Sequence, residues 1–521
     1  GLLMAGFDGL DLVGLPDDLP GTLAGVILFK RNLHDRAQVR ALTDMLYDAW
    51  AGAQAARRGA PGPLIAVDQE GGTVSRLSGI GTTTPSAMAL GATGDPMATH
   101  SMYGIIGREL SALGFNCDFA PVADVNNDAA NPVIGIRAFG EQPAQVAQHV
   151  AAAVRGLHAA GIAATAKHFP GHGDTTVDSH HALPEIAHDL ERLRTIELPP
   201  FRAAIEAGVD AIMTAHILFP ALAGDGAPAT LSRPVLTGLL RQELGFEGVI
   251  CTDCMEMHAI ESGFAPERSA VMAVAAGADL VLFSHQSAKL RTALQALQRA
   301  LDEGELDPAQ LEDSLRRVER LRARVTQQRL KARGAADLSG VGGPQHQAAA
   351  LAIARRAVTV VRDPQSLLPI RIEAGQRAFV VYFGADSQTP VEDAGQLGKQ
   401  RTTLGKFLAD LGAKVHEQTR TLDPAGHEYK QLLMASASAD LIVAVTTRAR
   451  LHPLQARAVA DLMMLGKAVI AIAAREPYDA TVLPAEMPVI AAFGDDPHAL
   501  HAAAEVLTGA AVAAGRLPVT V

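Results

Sequence analysis

The segment from Lys167 to Pro184, K-H-F-P-G-H-G-D-T-T-V-D-S-H-H-A-L-P, gathers Lys167, His168, His172, His180 and His181 with Asp174 and Asp178. Imidazoles titrate near neutrality, so such residues can both donate and accept protons. Gly171 and Gly173 permit backbone angles that other residues resist, and Pro170 and Pro184 argue against a helix through the segment. An apolar run, Gly161–Ala166, precedes it. The segment therefore reads as a loop leaving a strand end, where α/β enzymes hold their chemistry.

Asp178 and His180 lie two residues apart on an extended loop, so both side chains project from one side. The carboxylate can then orient and polarise the imidazole, as in the base–orienter half of a triad. A loop-bracing hydrogen bond is the plainer reading. A first-row metal held by His168, His172, Asp174 and His180 is a third. Neither H-E-x-x-H nor paired-cysteine spacing supports a metal, and no cofactor is expected.

Other apolar runs also end in polar residues: Val67-Asp68-Gln-Glu70, Asp124-Val-Asn126, Asn131 through Arg137 to Gly140, Thr214-Ala-His216 and Thr252-Asp253. Asp253, a short carboxylate closing a strand-like run, suits a nucleophile or a stabiliser of a developing cation. The rival job is an N-cap for a helix over Met255–Ile260. Asp68, Arg137, Lys167 and His168 suit a polyhydroxylated ligand, since charge-assisted bonds to hydroxyls are strong and directional. For Asp68 and Arg137 the alternative is a structural ion pair.

The elements that must position these groups alternate along the chain. Strands are predicted at Leu2–Phe7, Gly25–Phe29, Leu64–Val67, Asn116–Ala120, Ala163–Lys167, Ala211–Ala215, Gly248–Thr252 and Leu280–Phe283. Helical periods fall at Ala37–Ala51, Met97–Leu113, Ala144–Ala160, Leu193–Ala207 and Ala288–Leu301. Eight such units predict a TIM-like (β/α)8 barrel with all strand ends facing one rim. A doubly wound sheet is the rival, but its glycine fingerprint is absent. A charged helical connector over 307–345 follows, then strands at Ala357–Arg362, Ala378–Phe383, Leu441–Val445, Ala468–Ala471 and Val489–Phe493. The expected domains are a barrel over 1–306 and a smaller α/β (αβα) sandwich over 346–521.

A chain of 521 residues, 48% hydrophobic and 19% charged, describes a globular protein too long for one core. Its net charge of −11 speaks against nucleic-acid or anionic-membrane partners, and no apolar run reaches spanning length. Cys117, Cys251 and Cys254 make no disulfide framework, and Cys251-Thr-Asp-Cys254 reads as two filler thiols. A cytoplasmic location is expected. Because the chain opens Gly1-Leu-Leu-Met, an upstream signal or lipid anchor is the alternative. Oligomeric state is not legible.

The motif K-H-F-P-G-H-G-D-T-x-x-D-S-H, with V-D-Q-E-G-G, N-P-V-I-G-x-R-x-F-G and T-D-x-M-x-M, resembles glycoside hydrolase family 3. Within it, the chain is similar to bacterial β-N-acetylglucosaminidases that trim cell-wall fragments. The resemblance also takes in Gly25–Asn32, Pro228–Ser232 and the closing Gly515–Val519. It implies that Asp253 is a nucleophile forming a covalent glycosyl-enzyme, that His180 is the acid/base with Asp178 as dyad partner, and that Asp68, Arg137, Lys167 and His168 bind sugar. Cys254 departs from the small or acidic residue common after the nucleophile. The implied activity is retaining exo-β-N-acetylglucosaminidase on peptidoglycan or chitin fragments. A phosphorylase stands beside it, because a histidine acid would not repel phosphate as a carboxylate would. A β-glucosidase using Glu476 of the second half is a further option. A non-catalytic sugar-binding protein and a barrel metallohydrolase come from other classes.

Overall fold

The computed structural model describes all residues except 16–19, 55–59, 176–182, 225, 333–336, 385–391 and 393–402. Eight parallel strands close into a barrel: β1 (Leu3–Ala5), β2 (Gly25–Leu28), β3 (Leu64–Val67), β4 (Cys117–Asp118), β5 (Ala163–Phe169), β6 (Ala211–Thr214), β7 (Val249–Cys254) and β8 (Leu280–Phe283). They neighbour one another in chain order, and β8 pairs back onto β1 through Leu3 and Val281. Alternation along each strand divides the side chains. Met4, Ile27, Ala66, Met213, Cys251 and Leu282 point inward, while Ala5, Leu28, Val67, Ile212 and Ile250 join the helices outside. Both faces are buried, which is why these strands read as unbroken apolar runs.

The charged stretch expected to act as a connector does more. Its helix, Pro308–Ala332, pushes Val318, Leu321 and Val325 into the barrel's inner core. Arg322 caps the carbonyls of Pro61 and Gly62 at the same end, at 2.8 and 2.9 Å. One end of the barrel is thereby plugged, and the other is left for the loops after the strands.

A second sheet has the order β9 (Thr359–Arg362), β14 (Val489–Ala491), β13 (Ala468–Ala473), β12 (Leu441–Thr446), β10 (Arg377–Phe383) and β11 (Lys414–Arg420). All its pairings are parallel except β9 with β14. Separate apolar clusters on its two faces bury the surrounding helices and make an αβα sandwich. Strand β11, K-V-H-E-Q-T-R, was not predicted; it is a polar edge strand and carries no apolar run. The predicted helix Leu193–Ala207 is two helices, Leu190–Thr195 and Leu198–Glu206. Pro199 and Pro200 sit in the first turn of the second, where missing N–H groups cost nothing. Among the described residues no helix is long and apolar enough to cross a membrane.

Candidate active site

At the open end of the barrel lies a cavity of about 320 Å³, a small volume among ligand clefts. Ile27, Phe119, Met213 and Leu282 give it an apolar floor; Asp68, Arg137, Lys167, His168 and Asp253 stand in its wall. Five of the seven predicted site residues thus meet in one space, although 185 positions separate Asp68 from Asp253. Asp178 and His180 lie outside the described residues.

The strand ends set each side chain. Lys167 and His168 belong to β5, Asp253 belongs to β7, and Asp68 follows β3. Lys167 Nζ donates to Asp68 Oδ1 at 2.8 Å and lies 2.7 Å from Glu70 Oε1. Arg137 does not pair with Asp68. Its Nε and Nη2 donate to the two Glu70 oxygens, each at 2.8 Å, in the bidentate fork that fixes a guanidinium most firmly. Glu70 is therefore the hub, almost fully buried at 3% exposure. Burial pushes its carboxyl up, but Arg137 and Lys167 outweigh that and hold it far below the usual range. Burial likewise works against charge on Lys167, and Asp68 with Glu70 reverses this and raises its pKa. Both cations stay charged at neutral pH.

His168 is set by Asp124, whose Oδ2 lies 2.8 Å from the ring Nδ1 and whose Oδ1 accepts from the His168 N–H at 3.2 Å. With Nδ1 engaged, Nε2 is the nitrogen left towards Arg137 Nη2, 3.5 Å away. Asp124 also accepts from the His172 N–H at 2.7 Å. His172 lines the same cavity, and burial, followed by the neighbouring His168, lowers its pKa to about 4. Asp174, the other candidate ligand of the metal reading, instead pairs with His188 and lies 3.7 Å from Arg192.

Asp253 is not a helix cap. The short helix after it, His258–Glu261, has Met257 at its N-cap position. Asp253 Oδ1 accepts from the Cys254 N–H at 2.7 Å, and His216 Nε2 lies 2.9 Å from the Cys254 carbonyl. His216 thus braces the chain beside Asp253 and is not a member of the cavity wall. The three cysteines are free thiols.

Sequence reasoning missed Glu70, Asp124, Arg76 and Glu392. The first two stand inside legible motifs, but only the fold shows what they hold. Arg76, in the turn just past a short two-stranded ribbon that follows β3, lines the cavity and lies 3.7 Å from Asp68. Glu392 reaches the cavity from the second domain and accepts from Arg475 at 2.7 and 3.3 Å. Glu476, the second-domain carboxylate singled out from sequence, lies elsewhere, in a small cleft with Asn126, Arg448 and Tyr478.

The Glycosyl hydrolase family 3 N terminal domain profile matches residues 19–321. Beta-hexosaminidase A of Pseudoalteromonas piscicida is 32% identical, over 96% of this chain and 89% of its own length. A beta-hexosaminidase of Pseudomonas aeruginosa is 41% identical over 53% of this chain and 80% of its own. The solved glycoside hydrolase family 3 beta-N-acetylglucosaminidase from Paenibacillus sp. str. FPU-7 superposes with a TM-score of 0.90 at 39% identity, covering 100% of this chain and 97% of that one. A closed parallel barrel joined to an αβα sandwich, with this profile over the barrel, makes the chain a glycoside hydrolase belonging to family 3.

Proposed function

We propose that this enzyme is a retaining exo-β-N-acetylglucosaminidase that releases terminal β-linked N-acetylglucosamine from peptidoglycan or chitin fragments. The observation that carries the reading is Asp253 standing in the same small cavity as Asp68, Arg137, Lys167 and His168. Those four hold the hydroxyls of one terminal sugar, and the plugged barrel beneath them admits a chain end in preference to a through-running polymer. The hexosaminidase and N-acetylglucosaminidase relatives support the choice of sugar.

In the first step Asp253 attacks the anomeric carbon while His180, oriented by Asp178, gives its proton to the glycosidic oxygen. The carbon–oxygen bond breaks and a glycosyl-aspartate remains. In the second step His180 takes a proton from water, and the hydroxide displaces Asp253 with net retention.

The test is a set of aryl β-glycosides (N-acetylglucosaminide, glucoside, xyloside) with and without phosphate, with products followed by NMR. Fast cleavage of the N-acetylglucosaminide to the β-anomer of the free sugar is expected. A sugar 1-phosphate as main product would make the enzyme a phosphorylase, and preference for the glucoside would overturn the substrate assignment.

A further inference from the structure

We propose that the second domain acts on the sugar pocket through Arg448 and Tyr478, which position the segment that carries Arg137. The inference rests on the reading of Arg137 as a sugar-binding residue. That segment, Asn126–Arg137, has little regular structure of its own beyond one turn of 3-10 helix, Gly135–Arg137. A segment of this kind needs outside support to hold a guanidinium in place.

The support comes from the far domain at four points. Asn126 Nδ2 donates to the Tyr478 hydroxyl at 2.9 Å. Arg448 Nη2 donates to the Pro132 carbonyl at 2.7 Å. Gly135, at φ +45, lies so close to Glu476 that a Cβ there would fall 2.4 Å from Glu476 Oε1. Ile136, the residue before Arg137, is buried in one apolar cluster with Tyr478, Phe493 and Val519 of the second domain. Within the barrel the same segment touches the loop after β5, because Asn131 Nδ2 donates to the His172 carbonyl at 2.9 Å. The far domain, the Arg137 segment and the root of the histidine-rich loop thus form one connected set.

Arg448 is built for such a contact. It is buried at 7% exposure and keeps a left-handed backbone, φ +54, which a non-glycine residue holds only when its surroundings insist on it. The surroundings are visible. Asp479, fully buried, accepts from Thr446 Oγ1 at 2.7 Å and from the Ala449 N–H at 2.6 Å, fixing the turn on both sides of Arg448. The guanidinium Nε also lies 3.8 Å from Glu476 Oε1.

The experiment measures kcat and KM for an aryl N-acetylglucosaminide with Arg448→Ala, Tyr478→Phe and Arg137→Ala, and the doubles R448A/R137A and Y478F/R137A. Tyr478→Phe keeps the buried ring and removes only the hydroxyl, so it guards against misfolding of the Arg448 variant. Arg448→Ala is expected to raise KM about tenfold, and Tyr478→Phe about threefold, with kcat within twofold. Each should add little once Arg137 is gone, because residues acting through one another are non-additive. Full additivity with R137A, or a fall in kcat with KM unchanged in both single variants, would overturn the proposal. If R137A itself leaves KM unchanged, what fails is the sugar-binding role of Arg137, and the proposal falls with it.

Discussion

Asp253 and His180 divide the labour in the proposed reaction, and their replacements should differ in kind. Asp253→Ala is expected to remove turnover on every substrate, by at least about 10⁴-fold, because the covalent bond of the proposed mechanism forms to its carboxylate. His180→Ala should slow natural disaccharides far more than activated aryl glycosides, which need no proton to leave. Equal losses on both substrate types would sink the proton-donor assignment. Glu70 poses a different question, since it need touch no sugar. Arg137 and Lys167 share its carboxylate in a buried site, so Glu70→Gln leaves two cations short of charge. Breaking a buried pair in this way costs roughly 3–5 kcal/mol. A drop of several degrees in melting temperature is expected, together with a raised KM; an unchanged melting curve would show that Glu70 is no hub.

Strands and turns explain why these residues meet, and also why some were invisible beforehand. The barrel strands could be read from sequence because burial on both faces forces continuous Val, Ile, Leu and Ala runs, as in Leu64–Val67 and Leu280–Phe283. Asp253 could be read because it closes such a run. The polar edge strand Lys414–Arg420 could not, and neither could the plugging role of Pro308–Ala332, whose three inward residues are hidden among arginines. The Asp124–His168 contact joins residues 44 apart and depends on a barrel closing, which no local pattern encodes.

The turn that presents Arg448 has its own pH signature. Burial, helped by the nearby charge of Glu476, pushes the Asp479 carboxyl from 3.8 up to about 7, against the hydrogen bonds from Thr446 and Ala449. The folded state holds this proton more tightly than the unfolded chain does. The stability so gained is complete below pH 3.8 and is lost as pH rises towards 7. Asp479→Asn keeps the shape and cannot ionise. Its melting temperature relative to the parent should therefore rise between pH 4.5 and pH 8. A difference that stays constant over that range would contradict the buried, proton-holding role.

The two halves of the molecule are complete at different points along the chain. Every barrel strand has been made by Phe283, and the plug helix ends at Ala332. Among the described residues strand β9, by contrast, pairs only with β14, whose residues Val489–Ala491 come about 130 positions later. Domains generally fold in the order of synthesis, amino-terminal first. A nascent chain can thus possess a closed cylinder with Asp68, Lys167 and Asp253 already assembled, well before the residues that buttress Arg137 leave the ribosome. The last part of the cavity wall to mature would then be one of its earlier-translated segments, waiting on a scaffold made near the end of translation.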